Sequence, residues 1–269
     1  MENQRIDISV ILPIESTKHK NFELLFESCI TSIKAQSIYP SEVVIVHSDD
    51  ELLKNFLESY NFDFLIVKLI ENKGDCDFAS QVNLGVENAS NEWVSVIEFD
   101  DEYASIWFKN VKRFQESYND VDAFLPLVVD VDEKGVFAGF TNEATFAANI
   151  NTEIGYLTNE VLLNYQNFQT SGMVIRKNTW KKYGGLKSSM TLTFVYEFLL
   201  RLTYNGVKIM TIPKIGYKHV NMREGSIFWN YKFGDKKLSK EEVSFWMESA
   251  KKEYFFTEDR NINFEISTN

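Results

Sequence analysis

Apolar and polar positions alternate in two rhythms along the first hundred residues. Short β-branched runs, "IDISVILPI", "SEVVIVHSDD", "FLIVKLI" and "EWVSVIEFD", read as strands buried on both faces of a sheet, the first ended by Pro13. Between them apolar residues return at helical spacing. Phe22, Leu25, Phe26, Cys29, Ile30 and Ile33 form one such face, "ELLKNFLESY" carries a second, and "FASQVNLGVENAS" a third. The resulting β-α-β-α-β-α-β order predicts an α/β fold with a mainly parallel sheet and right-handed crossovers. Ligands of such sheets bind beyond the carboxyl ends of the strands.

The later sequence is less regular. "AFLPLVVDVDEKGVFAGF" predicts two strands joined at "DEKG", and the polar, asparagine- and aromatic-rich "TNEATFAANINTEIGYLTNEVLLNYQNF" predicts a partly irregular excursion of the kind that carries substrate contacts. "SGMVIRKNTWKKYGG" predicts a short strand and a helix stopped at Gly184 and Gly185. "VYEFLLRLTYNG" predicts another glycine-stopped helix, and "VKIMTIPKIGYKH" a strand. Ser239 and Glu242 form a capping-box pattern ahead of Val243, Trp246, Met247, Ala250 and Tyr254, so a terminal amphipathic helix is expected. No repeat or linker interrupts the chain, which points to one domain with a C-terminal extension.

Composition narrows the function. With 269 residues, 44% apolar, the chain can bury a large core. A net charge of -11 opposes non-specific binding to nucleic acid or anionic membranes, although a local basic patch stays compatible with it. Cys29 and Cys76 have no metal-type spacing and are too few for a disulfide framework. The first residues lack a basic segment followed by a long apolar one, and no apolar run approaches about 18 residues. A cytoplasmic protein without a transmembrane segment is expected, its oligomeric state open.

One segment changes the picture. "WVSVIEFDDEYAS" begins as a buried strand and ends in Glu98, Asp100, Asp101 and Glu102. Like charges so close repel one another. Such a cluster is either a solvated acidic turn or is offset by a positive partner, for which Mg²⁺ or Mn²⁺ is a candidate because hard cations take oxygen ligands and bridge carboxylates to phosphates.

The ordered motifs resemble those of the family 2 glycosyltransferases, which have the GT-A fold. "ISVILPIES" is similar to the family's first strand through Pro13, and "EVVIVHSDD" to its second. Asn72 with Gly74, then Asn83, Gly85 and Ala89, match its N-x-G elements, and "VIEFDD" matches its metal-binding strand end. "TSGMVIRKNTWKKYGG", "FVYEFLLRL" and "GVKIMTIP" follow in the family's order. The resemblance covers roughly residues 6 to 226. It implies a GT-A domain over 1–226, with 1–125 binding the nucleotide and 126–226 the acceptor, and an extension over 227–269.

It also implies roles. Glu98 falls on the carboxylate that faces the ribose and Asp100 on the metal ligand; Asp101 is expected to orient the donor sugar or the metal's surroundings. His219, in "GYKHVNMREGS", is the expected second metal ligand, against a packed or capping histidine. Arg223 and Ser226 follow on a loop expected over the diphosphate, since arginine matches phosphate oxygens bidentately; a surface arginine is the alternative. Pro13, Glu15 and Asn83 occupy donor-side motif positions. Asp49 is expected to recognise the base where relatives have paired aspartates and this chain has His47 and Ser48. The family's catalytic E-D pair is absent, its positions holding Phe194 and Val195. Glu197 is therefore the candidate base that deprotonates the acceptor, against simple pairing with Arg201 at i, i+4.

The expected activity is metal-dependent, inverting transfer of a sugar from a nucleotide-diphosphate donor to a hydroxyl of a glycan, lipid-linked sugar, protein or hydroxylated DNA base, with Mn²⁺ or Mg²⁺ as cofactor. A non-catalytic sugar-nucleotide or glycan-binding module is the alternative, favoured by the missing E-D pair. A nucleotidylyltransferase is a weaker one, because "PIESTKHKN" lacks the glycine-rich phosphate loop that class requires.

Overall fold

A computed structural model describes residues 4–143 and 156–264. The long strand pairings are parallel. β1 (Arg5–Ile14) lies between β2 (Tyr39–Ser48) and β4 (Trp93–Val96), and β3 (Val67–Asn72) lies outside β2. Three helices make the crossovers: α1 (Phe22–Lys34), α2 (Glu51–Ser59) and α3 (Phe78–Asn88). The alternation read from the sequence is thus the observed one. β3 begins at Val67 rather than Phe64, since Phe64 and Ile66 are exposed and Leu65 N donates to Phe62 O in a turn.

Beyond β4 the sheet becomes mixed. β5 (Glu102–Tyr103) follows immediately, and α4 (Trp107–Ser117) leads to the expected hairpin of β6 (Ala123–Val131) and β7 (Phe137–Thr141). Asp132 shapes its turn by accepting from Lys134 N (2.8 Å) and Val136 N (2.9 Å). β8 (Tyr156–Leu157) and α5 (Asn159–Asn164) come from the anticipated excursion, whose residues 144–155 lie outside the described residues. β9 (Val174–Arg176), α6 (Lys177–Lys182), α7 (Phe194–Tyr204), β10 (Ile209–Val220), α8 (Ile227–Lys232) and α9 (Lys240–Glu253) complete the chain. The sheet order is β3-β2-β1-β4-β9-β6-β10-β5, with β7 on β6 and β8 on β10. The amphipathic α4, with Trp107, Phe108 and Val111 buried, was not among the elements read from the pattern.

The pleat divides the core. Val43 and Ile45 join one apolar cluster with Phe26, Ile30 and Leu53, while Val44 and Val46 join the other with Val82, Val86 and Leu199, so helices cover both faces. Gly85 shows how tightly: a Cβ there would stand 2.4 Å from Ile11 Cγ2. The motif glycine lets α3 lie directly on the sheet.

The C-terminal residues join the second cluster through Ala250 and Tyr254. The capping box of Ser239 and Glu242 starts α9 as expected. Lys187 Nζ donates to Glu253 O (2.9 Å) and Phe256 O (2.8 Å), tying the segment after α9 to the loop ahead of α7.

Candidate active site at the carboxyl edge of the sheet

β4 ends at Val96, short of the strand expected through Asp100. Ile97 N still donates to Ile11 O (3.0 Å), but Asp101 N then donates to Glu98 O (3.1 Å), so the chain turns at the sheet's carboxyl edge. The turn projects the carboxylates there. A cavity of about 1140 Å³ opens at this edge, lined among others by Pro13, Glu15, Glu98, Asp100, Arg223 and Ser226.

Most of the negative charge has a cation from the chain itself. β10 runs antiparallel to β5 with Lys218 opposite Glu102, and their side chains form an ion pair. The next residue, His219, presents Nδ1 to Asp101 Oδ2 at 2.9 Å, and Val220 N donates to Asp101 Oδ1 at 2.8 Å. Arg223 Nε donates to Asp100 Oδ2 at 2.6 Å. One short stretch of chain therefore answers three carboxylates in succession. Glu98 is different. It accepts from Ser171 Oγ at 3.1 Å, and among the described residues no cation pairs with it.

The electrostatics follow from that inequality. Burial, reinforced by the charges of Asp101 and Asp100, pushes the Glu98 carboxyl up to about 8. Burial and the neighbouring Asp101 also raise Asp100, against the pull of Arg223. Burial alone would lower His219, yet the charge and hydrogen bond of Asp101, with help from Glu98 and Asp130, lift it to about 10. Burial first, and the crowding of like charges second, make the two carboxyls hold their protons more tightly than usual.

That crowding suits a metal ion. Glu98, Asp101 and His219 each offer one ligand atom, all within 4.8 Å of one another. Two carboxylate oxygens and an imidazole nitrogen are a donor set for Mg²⁺ or Mn²⁺. Asp100, the expected ligand, is instead the partner of Arg223 and is outside this group.

The structure thus gathers Pro13, Glu15, Glu98, Asp100, Arg223 and Ser226 around the cavity, with Asp101 and His219 adjoining Glu98. Ser226 also caps α8. Three expected residues stand apart. Asp49 is exposed outside the lining, where its neighbour Asp50 takes a place while capping α2. Asn83 holds the chain after α6: its Oδ1 accepts from Trp180 Nε1 and Leu186 N, each at 3.0 Å, and its Nδ2 donates to Leu186 O at 2.7 Å.

Glu197 is the largest departure. It is fully buried, accepts from Arg201 Nε (2.9 Å) and Nη2 (2.7 Å), and stands 2.9 Å from Lys187 Nζ. Both oxygens are committed to cations, and the residue lines no part of the cavity. The i, i+4 pairing with Arg201 is the arrangement the structure contains. The sequence also left Ser171 and Tyr217 without roles, although Tyr217 Oη accepts from Glu98 N at 3.1 Å. Ser171 belongs to the family-like motif "TSGMVIRKNTWKKYGG", the one signal in the sequence that points to it.

These features define a class before they define a relative. A family model described as glycosyl transferase family 2 matches residues 14–179, and the chain belongs to that family. No curated protein matches it. Among solved structures it is similar to Staphylococcus aureus TarS. The crystal structure of TarS 1-349 in complex with UDP-GlcNAc gives a TM-score of 0.65 at 18% identity, covering 91% of this chain and 65% of that one. TarS 1-349 in complex with UDP gives 0.61 at 16% identity, covering 90% and 78%. A further structure of TarS gives 0.60 at 18% identity, and there this chain spans 44% of the other's length. At such identities the likeness shows the fold, which is the GT-A arrangement.

Proposed function

We propose that this chain transfers a sugar from a nucleotide-diphosphate donor to an acceptor hydroxyl, assisted by a divalent cation and with inversion at the anomeric carbon. The observation that carries the reading is the cavity at the carboxyl edge of β1 and β4, where Glu98 and Asp100 meet Arg223. Pro13, Glu15, Asp50, Ser188, Thr191 and Phe194 also line it, and its volume of about 1140 Å³ is room for a nucleotide and a sugar. The binding of UDP-GlcNAc and UDP by TarS supports a uridine diphosphate donor.

Arg223 contributes charge at the diphosphate. Its Nε is held by Asp100 and its Nη1 by Glu224 O at 2.9 Å, which fixes the guanidinium plane against the cavity. Glu98, Asp101 and His219 would hold Mn²⁺ or Mg²⁺, which when bound supplies further positive charge to the leaving diphosphate. Ser171 and Tyr217 orient Glu98 for that task. The acceptor is a hydroxyl of a glycan, lipid-linked sugar, protein or modified DNA base.

A thermal-shift panel of nucleotide-diphosphate sugars with and without Mn²⁺ tests this. Preferential binding stabilises the native state by about 2.7 kcal/mol at a hundredfold excess over Kd, and the melting temperature rises accordingly. A metal-enhanced shift with one donor is expected, and no shift with any donor would sink the reading. The burial of Glu197 favours a second reading, a binding module without turnover. Donor binding with no hydrolysis or transfer in Mn²⁺ would select it.

A further inference from the structure

The loop after β1 carries a histidine to which neither the family motifs nor the metal cluster gives a role. His19 lines the cavity, its ring packing on Phe99 with centroids 5.1 Å apart. Phe99 lies between Glu98 and Asp100 in the chain. The Arg223 guanidinium packs on the same ring, 5.2 Å from its centroid. Two nitrogen-bearing side chains from opposite ends of the sequence are thus hinged on one aromatic residue at the mouth of the carboxylate turn.

Their atoms converge. A Cβ built on Gly225 would lie 3.7 Å from His19 Nδ1 and 4.0 Å from Arg223 Nη1, so both face one small space that this residue leaves open. Gly225 has φ 85°, a left-handed conformation that favours glycine, and the missing side chain lets a ligand approach the backbone there. His19 makes no side-chain hydrogen bond among the described residues, and Arg223 Nη2 is likewise uncommitted. A polar ring that is partly buried beside a cation, with both nitrogens unused, lacks an acceptor.

The lining carries both signs. Glu15, Asp50, Asp77 and Asp235 share it with Lys18, Lys236 and Lys237, and Arg223, the cation beside His19, already serves Asp100. A ligand with two adjacent anionic groups needs more than the remaining face of one arginine.

We propose that His19 and Arg223 together form a clamp for the diphosphate of the donor, His19 donating to one phosphate while Arg223 donates to the other. This rests on the donor reading above and adds a binding residue to it. The clamp favours a diphosphate over a monophosphate, because two phosphoryl groups give each side chain an acceptor of its own.

The test is calorimetric binding of UDP, GDP, ADP and CDP, and of the matching monophosphates, to the full chain in Mn²⁺. His19→Phe, which keeps a ring on Phe99 and removes the donor, is expected to weaken binding of the preferred diphosphate about tenfold, the scale of one charge-assisted hydrogen bond. Its effect on the monophosphate should be under threefold, which also reports that the variant is folded. His19→Lys should recover most of the diphosphate affinity. Wild-type binding that His19→Phe leaves unchanged would overturn the clamp while the donor reading stands. Equal losses for mono- and diphosphate would also overturn it. Failure of wild type to bind any of these nucleotides would remove both.

Discussion

Two groups of buried or half-buried carboxylates in this molecule meet cations from the chain, and they have opposite characters. Around Glu197, between α7 and the loop ahead of it, one carboxylate is shared by Arg201 and Lys187; the arginine also donates to Gly185 O (2.7 Å), and the lysine to two carbonyls near the C-terminus. Positive charge exceeds negative, the three side chains are paired with one another or with carbonyls, and none of them lines the cavity at the sheet edge. At the carboxyl edge of the sheet the balance is reversed. Glu98, Asp100, Asp101 and Glu102 are met by Arg223, His219 and Lys218, and Glu98 is left holding a proton beside a large cavity. The closed cluster fastens the C-terminal segment to the domain, whereas the open one borders the cavity with one carboxylate that no cation of the described residues pairs with.

Removing one partner from each should separate them most sharply. Arg201→Ala leaves Glu197 and its surrounding carbonyls buried without their main donor, a loss of about 3–5 kcal/mol on the scale of broken buried ion pairs. Chemical unfolding measures it. A loss below about 1 kcal/mol would show that the closed cluster is not a fastening.

Asp101→Asn should act on the other side of the comparison. The substitution removes the charge that faces His219 and is expected to weaken Mn²⁺-dependent donor binding by about 10–100-fold, beyond whatever stability the loss of this buried pair costs, which a melt of the metal-free variant reads separately. Calorimetry with and without the ion reads this. An unchanged metal dependence would remove Asp101 from the cation site.

The comparison also predicts a pH dependence. Glu98 folds with its carboxyl at about 8 against an ordinary 4.5, so its contribution to stability is complete below about 4.5 and is lost as pH rises through 8. His219, at about 10 against 6.5, contributes fully below about 6.5 and loses that contribution as pH rises through 10. Both act in one direction. The melting temperature of the metal-free protein should therefore fall from pH 5 toward pH 10, and added Mn²⁺ should restore more of it at the alkaline end. Melts that improve with pH over this range would contradict the proton-holding picture of the open cluster.

Much of this was legible in the pattern of residues. The first three crossovers and the capping box at Ser239 follow from local periodicity and local hydrogen bonding, which need no knowledge of the rest of the chain. The carboxylate burst was legible because its charges are contiguous, and the order of the motifs around it, not the cluster alone, marked it as a candidate site. Its partners were harder. Lys218 answers Glu102 only because β10 runs antiparallel to β5 and sets the two opposite each other, a register absent from either segment alone. His19, about eighty residues before Phe99, gives no sign in sequence that its ring will rest there.

Glu197 shows where reading by position fails. It stands near the missing E-D pair, yet on α7 its side chain turns inward, where Arg201 one helical turn later and Lys187 from the preceding loop enclose it. Asn83 is a similar case: a motif residue whose amide is wholly spent on Trp180 and Leu186.

The sequence by itself determined the alternation of strands and helices, the family, and the place where negative charge would gather, because each depends on neighbours within a few residues. Which carboxylates receive a cation, which one is left in need of another, and which faces the cavity were decided only by tertiary structure. Charge interactions depend on separation in space and on burial, and both are set by strand register and helix facing across the whole chain.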